Sequence, residues 1–166
     1  MSKNILKKDK NFIWHPFTQS KTAPDPILIK EAKDDTLIDI DGKKYIDLIS
    51  SWWVNIHGHG KKEINDEIYK QANTIDQIIF AGLTHEPAVA LAEKLVKILP
   101  KGLKRVFYSD NGSTSVEIAL KVSYQYWFNK GKERRKFISF KGGYHGDTLG
   151  AMSVGYSTGF YKPFKN

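Results

Sequence analysis

The sequence predicts an α/β fold, a largely parallel sheet flanked by helices, and three observations carry that expectation. Two strand-length apolar runs, 105–109 and 136–140, flank a stretch of helical period, which is the pattern of a β–α–β unit. Each run leads into a glycine-bearing turn, Asn111-Gly112-Ser113-Thr114 after the first and Gly142-Gly143-Tyr144-His145-Gly146 after the second. Ligands of open parallel sheets bind outside the C-terminal strand ends, so both turns fall where they could face one crevice.

From the N-terminus, residues 1–26 read as irregular, with Pro16, Pro24 and Pro26 and an aromatic patch at Phe12, Trp14 and Phe17. Residues 27–30, 37–40 and 45–49 read as short strands, and Asp41-Gly42 between the last two is a strong hairpin signal. Residues 50–60 are loop-like and rich in Trp, His and Gly. A first helix is expected over 62–80, with Ile64, Ile68, Ile75 and Ile79 on one side. A second begins after Thr84 as N-cap, buries Ala88, Leu91, Ala92, Leu95 and Leu99, and stops before Pro100. A third begins near Gly112, aligns Val116, Ala119, Leu120, Ser123 and Trp127, and stops at Gly131.

Composition narrows the function classes. A 166-residue chain with 40% hydrophobic and 27% charged residues is ordinary for a water-soluble globular protein, and a cytoplasmic location is expected. Without cysteine there is neither a disulfide nor a thiolate metal site. No window has the apolar length of a membrane span, and the basic start lacks the apolar core of a signal peptide. The net charge of +8 raises nucleic-acid binding, but the densest basic run (Lys130, Lys132, Arg134, Arg135, Lys136) follows a helix end, where cations complement the dipole. A solvated surface is the expectation, with no nucleic-acid partner.

The turn at Gly112-Ser113 offers free N–H groups and a small hydroxyl at a helix N-terminus, which suits a phosphate. Tyr144, between glycines, is placed to stack on a planar ligand. A phosphate cradle and a stacking ring together suggest pyridoxal phosphate. Adjacent tryptophans Trp52 and Trp53, if on a strand, point to opposite faces, leaving one available for a ligand. His57 and His59 alternate, but without a carboxylate cluster or cysteine no metal site is expected. Gly58-His59-Gly60-Lys61-Lys62 lacks the spacing and the Ser/Thr of a nucleotide loop.

These segments, together with Trp14-His15-Pro16-Phe17-Thr18, Ser50-Ser51-Trp52-Trp53, His57-Gly58-His59, Tyr126-Trp127 and Gly143-Tyr144-His145-Gly146-Asp147-Thr148, resemble the class III pyridoxal-phosphate aminotransferases of fold type I. The double Trp and the W-H-P start resemble the branch serving biotin synthesis. The resemblance implies pyridoxal 5'-phosphate held by Gly112 and Ser113, with Tyr144 over its ring and beside the substrate. It implies Trp52 and Phe17 in the substrate pocket, 8-amino-7-oxononanoate as amino acceptor, S-adenosylmethionine as donor, 7,8-diaminononanoate as product, and a homodimer. Residues 1–60 would belong to a small domain and 61–166 to the first part of the cofactor-binding large domain.

Two departures accompany the resemblance. Phe17 stands where members using S-adenosylmethionine commonly carry tyrosine, so lysine is kept as an alternative donor. The lysine that links the cofactor lies beyond the resembling region, so no lysine of this chain is given a catalytic role. With the run 160–166 stopping mid-pattern, the sequence reads as a fragment, inactive alone. Another class III ω-aminotransferase and a non-catalytic fragment are the alternatives.

Overall fold

A computed structural model describes residues 2–155 and Tyr161; of the closing run 160–166, the rest lies outside the described residues. The chain divides into two compact units, Met1–Leu83 and Thr84–Asn166.

The first unit opens with α1 (Ser2–Phe12), where irregular chain was expected. Lysine and leucine are good helix formers, and no proline precedes Pro16. The prolines and aromatics that suggested irregularity begin where the helix ends, and the His15 ring bonds back to Asp9 at 2.8 Å. The strands β1 (Ile29–Lys33), β2 (Thr36–Asp39) and β3 (Lys44–Ile46) form one antiparallel sheet in chain order. All three expected strands exist; β1 lies further along the chain than expected, because a hairpin at Asp34-Asp35 pairs Lys33 with Thr36. Asp34 takes φ +51° there, which an aspartate tolerates better than most residues.

Between β2 and β3 the expected Asp41-Gly42 turn forms, with Gly42 at φ +83°. The Asp39 carboxylate closes it, accepting the N–H groups of Asp41 and Lys43 at 2.9 Å each and the Tyr45 hydroxyl at 2.9 Å. Burial by itself would raise the Asp39 pKa. The Lys43 N–H, the Tyr45 hydroxyl and the Asp41 N–H outweigh it, and the carboxyl titrates below its ordinary value.

After β3 the chain makes α2 (Ser50–Trp53), a single turn in which all four residues have positive φ. The tryptophans therefore do not alternate across a strand, as expected, but follow one another around a left-handed turn. Next, α3 (Lys62–Ala72) is shorter than the apolar period suggests. Asn73 and Thr74 turn their side chains back onto the carbonyls of Tyr69 and Lys70, at 2.7 and 3.0 Å, and compete with helix continuation.

In the second unit, α4 (Glu86–Ile98) is capped by His85, whose ring accepts the Ala88 N–H, rather than by Thr84. Pro87 in its first turn favours a start at this point. No residue of α4 is fully buried: in its expected stripe Ala88, Ala92 and Leu95 are partly buried, while Leu91 and Leu99 are exposed. The longest helix, α5 (Gly112–Asn129), begins and stops as expected. Its end is a Schellman arrangement: the Gly131 N–H reaches Phe128 O at 2.9 Å and the Lys132 N–H reaches Trp127 O at 3.0 Å. Arg134 then lies 4.0 Å from the Trp127 ring centroid, and Arg135 pairs with Glu133. The short α6 (Leu149–Val154) packs on α5, where Glu117 Oε1 accepts the Gly150 and Ala151 N–H groups at 2.7 and 3.3 Å.

The runs 105–109 and 136–140 are not strands among the described residues. They flank α5 as expected, but a parallel strand needs a neighbour on which to form its ladder, and they do not pair with one another. Phe107, Ile138 and Phe140 stay exposed. The Tyr108 hydroxyl ties the first run to α4 through Ala88 O at 2.6 Å. No helix among the described residues is long and apolar enough to cross a membrane.

A methyl group added at Gly42 would meet nothing within 4 Å, so Gly42→Ala isolates the cost of its positive φ. It is expected to lower unfolding free energy by about 1–2 kcal/mol. Urea denaturation checks this, and a loss under about 0.5 kcal/mol would speak against a strained turn.

Candidate functional site

The second unit brings together the residues expected at a phosphate. Asn111 caps α5 in a reciprocal box: its Oδ1 accepts the Thr114 N–H at 3.0 Å, and its N–H reaches Thr114 Oγ1 at 3.2 Å. The Ser115 N–H is taken by Asn111 O at 3.0 Å. The N–H groups of Gly112 and Ser113 find no acceptor among the described residues, and a Cβ at Gly112 would meet nothing within 4 Å. Two donors without an acceptor among the described residues therefore lie at the positive end of an 18-residue helix, with open space beside Gly112.

The turn carrying Tyr144 docks against this helix start. Ser113 Oγ accepts the Asp147 N–H at 3.0 Å, which leaves the serine's own proton free for an acceptor. The Tyr144 hydroxyl donates to Asp147 Oδ2 at 2.7 Å. That hydrogen bond, with some desolvation, raises the phenol above its ordinary pKa, so Tyr144 stays protonated at neutral pH. The ring is exposed enough to receive a flat ligand. Gly146 makes the approach possible: a Cβ there would collide with Ser113 Oγ and lie 2.7 Å from Ser113 Cα. Tyr161, buried, donates its hydroxyl to Gly146 O at 3.1 Å. Gly112, Ser113 and Tyr144 thus share one hydrogen-bonded turn-on-turn assembly whose link, Asp147, the sequence reading had left without a role.

In the first unit Phe17 and Trp52 also meet. Their rings stack at 5.5 Å between centroids and 12° between planes, and Trp53 lies 5.9 Å from Trp52 at 49°. Phe17 itself sits at φ +52°. Left-handed backbone costs about 1–2 kcal/mol per non-glycine residue, so the Ser50–Trp53 turn stores several kcal/mol that other contacts must offset. Asp47 makes those contacts. Its side chain is 5% exposed; Oδ1 accepts the Ser51 N–H at 3.0 Å, and Oδ2 accepts the Ser51 hydroxyl at 2.7 Å and meets His59 Nε2 at 2.9 Å. The Ser51 N–H, the Ser51 hydroxyl and His59 hold the Asp47 carboxyl down to about 2.

His59 is therefore a structural partner of a carboxylate, and its backbone bridges to Asp34. Asp47 escaped the sequence reading because its only local signal is a serine four residues on, in a segment without helical period.

Comparison with known proteins matches the family described as aminotransferase class-III over residues 17–166. The chain is 53% identical over 153 residues to the adenosylmethionine-8-amino-7-oxononanoate aminotransferase of Synechococcus elongatus, covering 92% of this chain and 36% of that protein. It is similar to the crystal structure of the enzyme of that name from Methanocaldococcus jannaschii, with TM-score 0.91 and 47% identity, over 99% of this chain and 39% of that one. An omega transaminase from Pseudomonas jessenii, solved in complex with PMP, matches with TM-score 0.87 and 27% identity, over 94% of this chain and 36% of that one. The chain thus spans between 36% and 39% of the length of these relatives.

Gly146→Ala is expected to destabilise the second unit by about 1–3 kcal/mol through overpacking and to expose the Asp147 amide to hydrogen exchange. Gly142→Ala, whose Cβ would meet nothing, should leave that amide protected.

Asp47 gives a pH dependence. Its folded pKa lies below the unfolded value of about 3.9, so its stabilisation is complete above that value and vanishes as pH falls toward about 2. The stability gap between the wild type and Asp47→Asn should therefore be constant near neutrality and close between about pH 4 and 2. Acid titration of the two unfolding midpoints measures it, and a gap that does not narrow between about pH 4 and 2 would contradict the assignment.

Proposed function

The chain belongs to the class III aminotransferases, and from that premise we propose that it forms the phosphate cradle and the acceptor wall of an 8-amino-7-oxononanoate aminotransferase of biotin synthesis. The enzyme is a cytoplasmic homodimer using pyridoxal 5'-phosphate, with S-adenosylmethionine as amino donor and 7,8-diaminononanoate as product. The observation that carries the cofactor reading is the pair of N–H groups at Gly112 and Ser113 that find no acceptor among the described residues, beside open space at Gly112 and with Ser113 bonded to the turn of Tyr144. Relatives bearing that enzyme name at about half identity support the substrate.

Bound pyridoxal phosphate supplies the electron sink that lets an amino group pass from donor to keto acceptor. The chain's own residues hold and shield it. Gly112 and Ser113 N–H groups bind phosphate oxygens, and the Ser113 hydroxyl adds a third donor while its oxygen stays on the Asp147 N–H. Tyr144 covers the pyridine ring, kept from rotating by its hydrogen bond to Asp147. Trp52 and Phe17 give the aliphatic acceptor an apolar wall and exclude water from it. No lysine of this chain is assigned the cofactor-linking role.

We assign 1–60 to a small domain and 61–166 to the start of the large domain. The unpaired runs 105–109 and 136–140 take their sheet neighbours from the part of the fold that this chain does not span. Phe17 supports one second reading. A phenyl ring cannot hydrogen-bond a donor substrate, and lysine as amino donor fits that lack.

In the complete enzyme, Tyr144→Ala is expected to weaken cofactor retention by roughly tenfold and to slow both half-reactions. Cofactor absorbance after dialysis and single-turnover rates with each donor check it. An unchanged spectrum and rate would remove Tyr144 from the site. A donor panel of S-adenosylmethionine and lysine separates the two readings of Phe17.

A further inference from the structure

We infer that Asp47 is a positioning residue for Trp52: its carboxylate holds the left-handed turn that sets the indole against Phe17, and so shapes the apolar wall met by the acceptor. The substrate part of this inference rests on the reading of Trp52 given above; the positioning part does not.

Ser50, Ser51, Trp52 and Trp53 have φ of 48°, 47°, 66° and 69°, a run that L-residues avoid. Packing does not impose it, because Trp52 is 58% and Trp53 71% exposed. Among the described residues no side chain other than Asp47 hydrogen-bonds the backbone of this turn. Asp47 binds Ser51 through both its N–H and its hydroxyl, while its own carbonyl accepts the Ser50 N–H at 3.1 Å. His59 braces the same carboxylate at 2.9 Å. The brace is anchored in turn, because the His59 N–H meets Asp34 O at 2.7 Å and the Asp34 N–H meets His59 O at 3.0 Å, on the hairpin that joins β1 to β2. A chain of backbone and carboxylate bonds therefore runs from the small sheet to the turn carrying Trp52. Released from it, Ser51 returns to right-handed or extended backbone, and the indole leaves the Phe17 ring.

The test uses the complete enzyme, in apo and holo form. Trp52 and Trp53, 5.9 Å apart at 49°, should give a far-ultraviolet exciton couplet in circular dichroism, identified as the signal lost in Trp52→Ala. Asp47→Ala is expected to lose the same couplet in both forms, and to raise the acceptor KM roughly tenfold with a smaller fall in kcat. Asp47→Asn keeps the fold if alanine does not, and it should lose at least half of the couplet.

A couplet intact in a folded Asp47 variant overturns the inference, whatever the kinetics. A couplet lost in both Asp47→Ala and Trp52→Ala, with acceptor KM unchanged in both, sustains the positioning role. That outcome removes Trp52 from the acceptor pocket, so the two readings fail separately.

Discussion

Carboxylates that accept backbone N–H groups fix the turns of this chain, among them the one that carries Trp52. Few apolar side chains are buried among the described residues, so packing alone would leave these loops loose. Asp39 closes the β2–β3 turn through two N–H groups, Asp47 holds the turn of Trp52, and Glu117 takes two N–H groups at the start of α6. A charged acceptor strengthens each such bond, and an unmade one leaves a desolvated carboxylate, so the arrangement is intolerant of drift. Ser113 plays the same part with a neutral oxygen on the Asp147 N–H. The candidate site is thus built less from a core than from acceptors aimed at specific amides.

The elements legible in the sequence are those whose signal is local. The Asp41-Gly42 hairpin and the α5 boundaries follow from residues within a few positions of each feature. The α3 overrun is instructive: the isoleucine period continues past Ala72, but Asn73 and Thr74 offer the backbone competing bonds, and those won. The left-handed turn was illegible because serine and tryptophan disfavour that conformation; its cause is Asp47, earlier in sequence, acting with His59, later. The runs 105–109 and 136–140 have strand composition, yet strand structure belongs to a pair and the described residues supply no second member. Gly112, Ser113 and Tyr144 come together in the second unit, and the Phe17 and Trp52 rings stack in the first, although each set is drawn from segments far apart in the sequence.

The two assemblies do different physical work. At the α5 start, the N–H groups of Gly112 and Ser113 have no acceptor among the described residues, which favours an anion. At the Phe17–Trp52 stack, apolar rings are left in solvent, which favours an aliphatic partner. Each lies where the family resemblance expects a ligand.

The exposed run Phe137-Ile138-Ser139-Phe140 has a bearing on how copies of this chain behave in a crowd. It is apolar, strand-like in composition and unpaired among the described residues, the composition that seeds edge-to-edge aggregation. Immediately before it stand Lys132, Arg134, Arg135 and Lys136, with Arg134 folded onto Trp127 and Arg135 tied to Glu133. The cluster that first suggested nucleic acid is a gatekeeper in this light. Two such edges approaching in register bring like charges together before their apolar residues meet. The same cations that follow α5 thereby oppose self-pairing of this run.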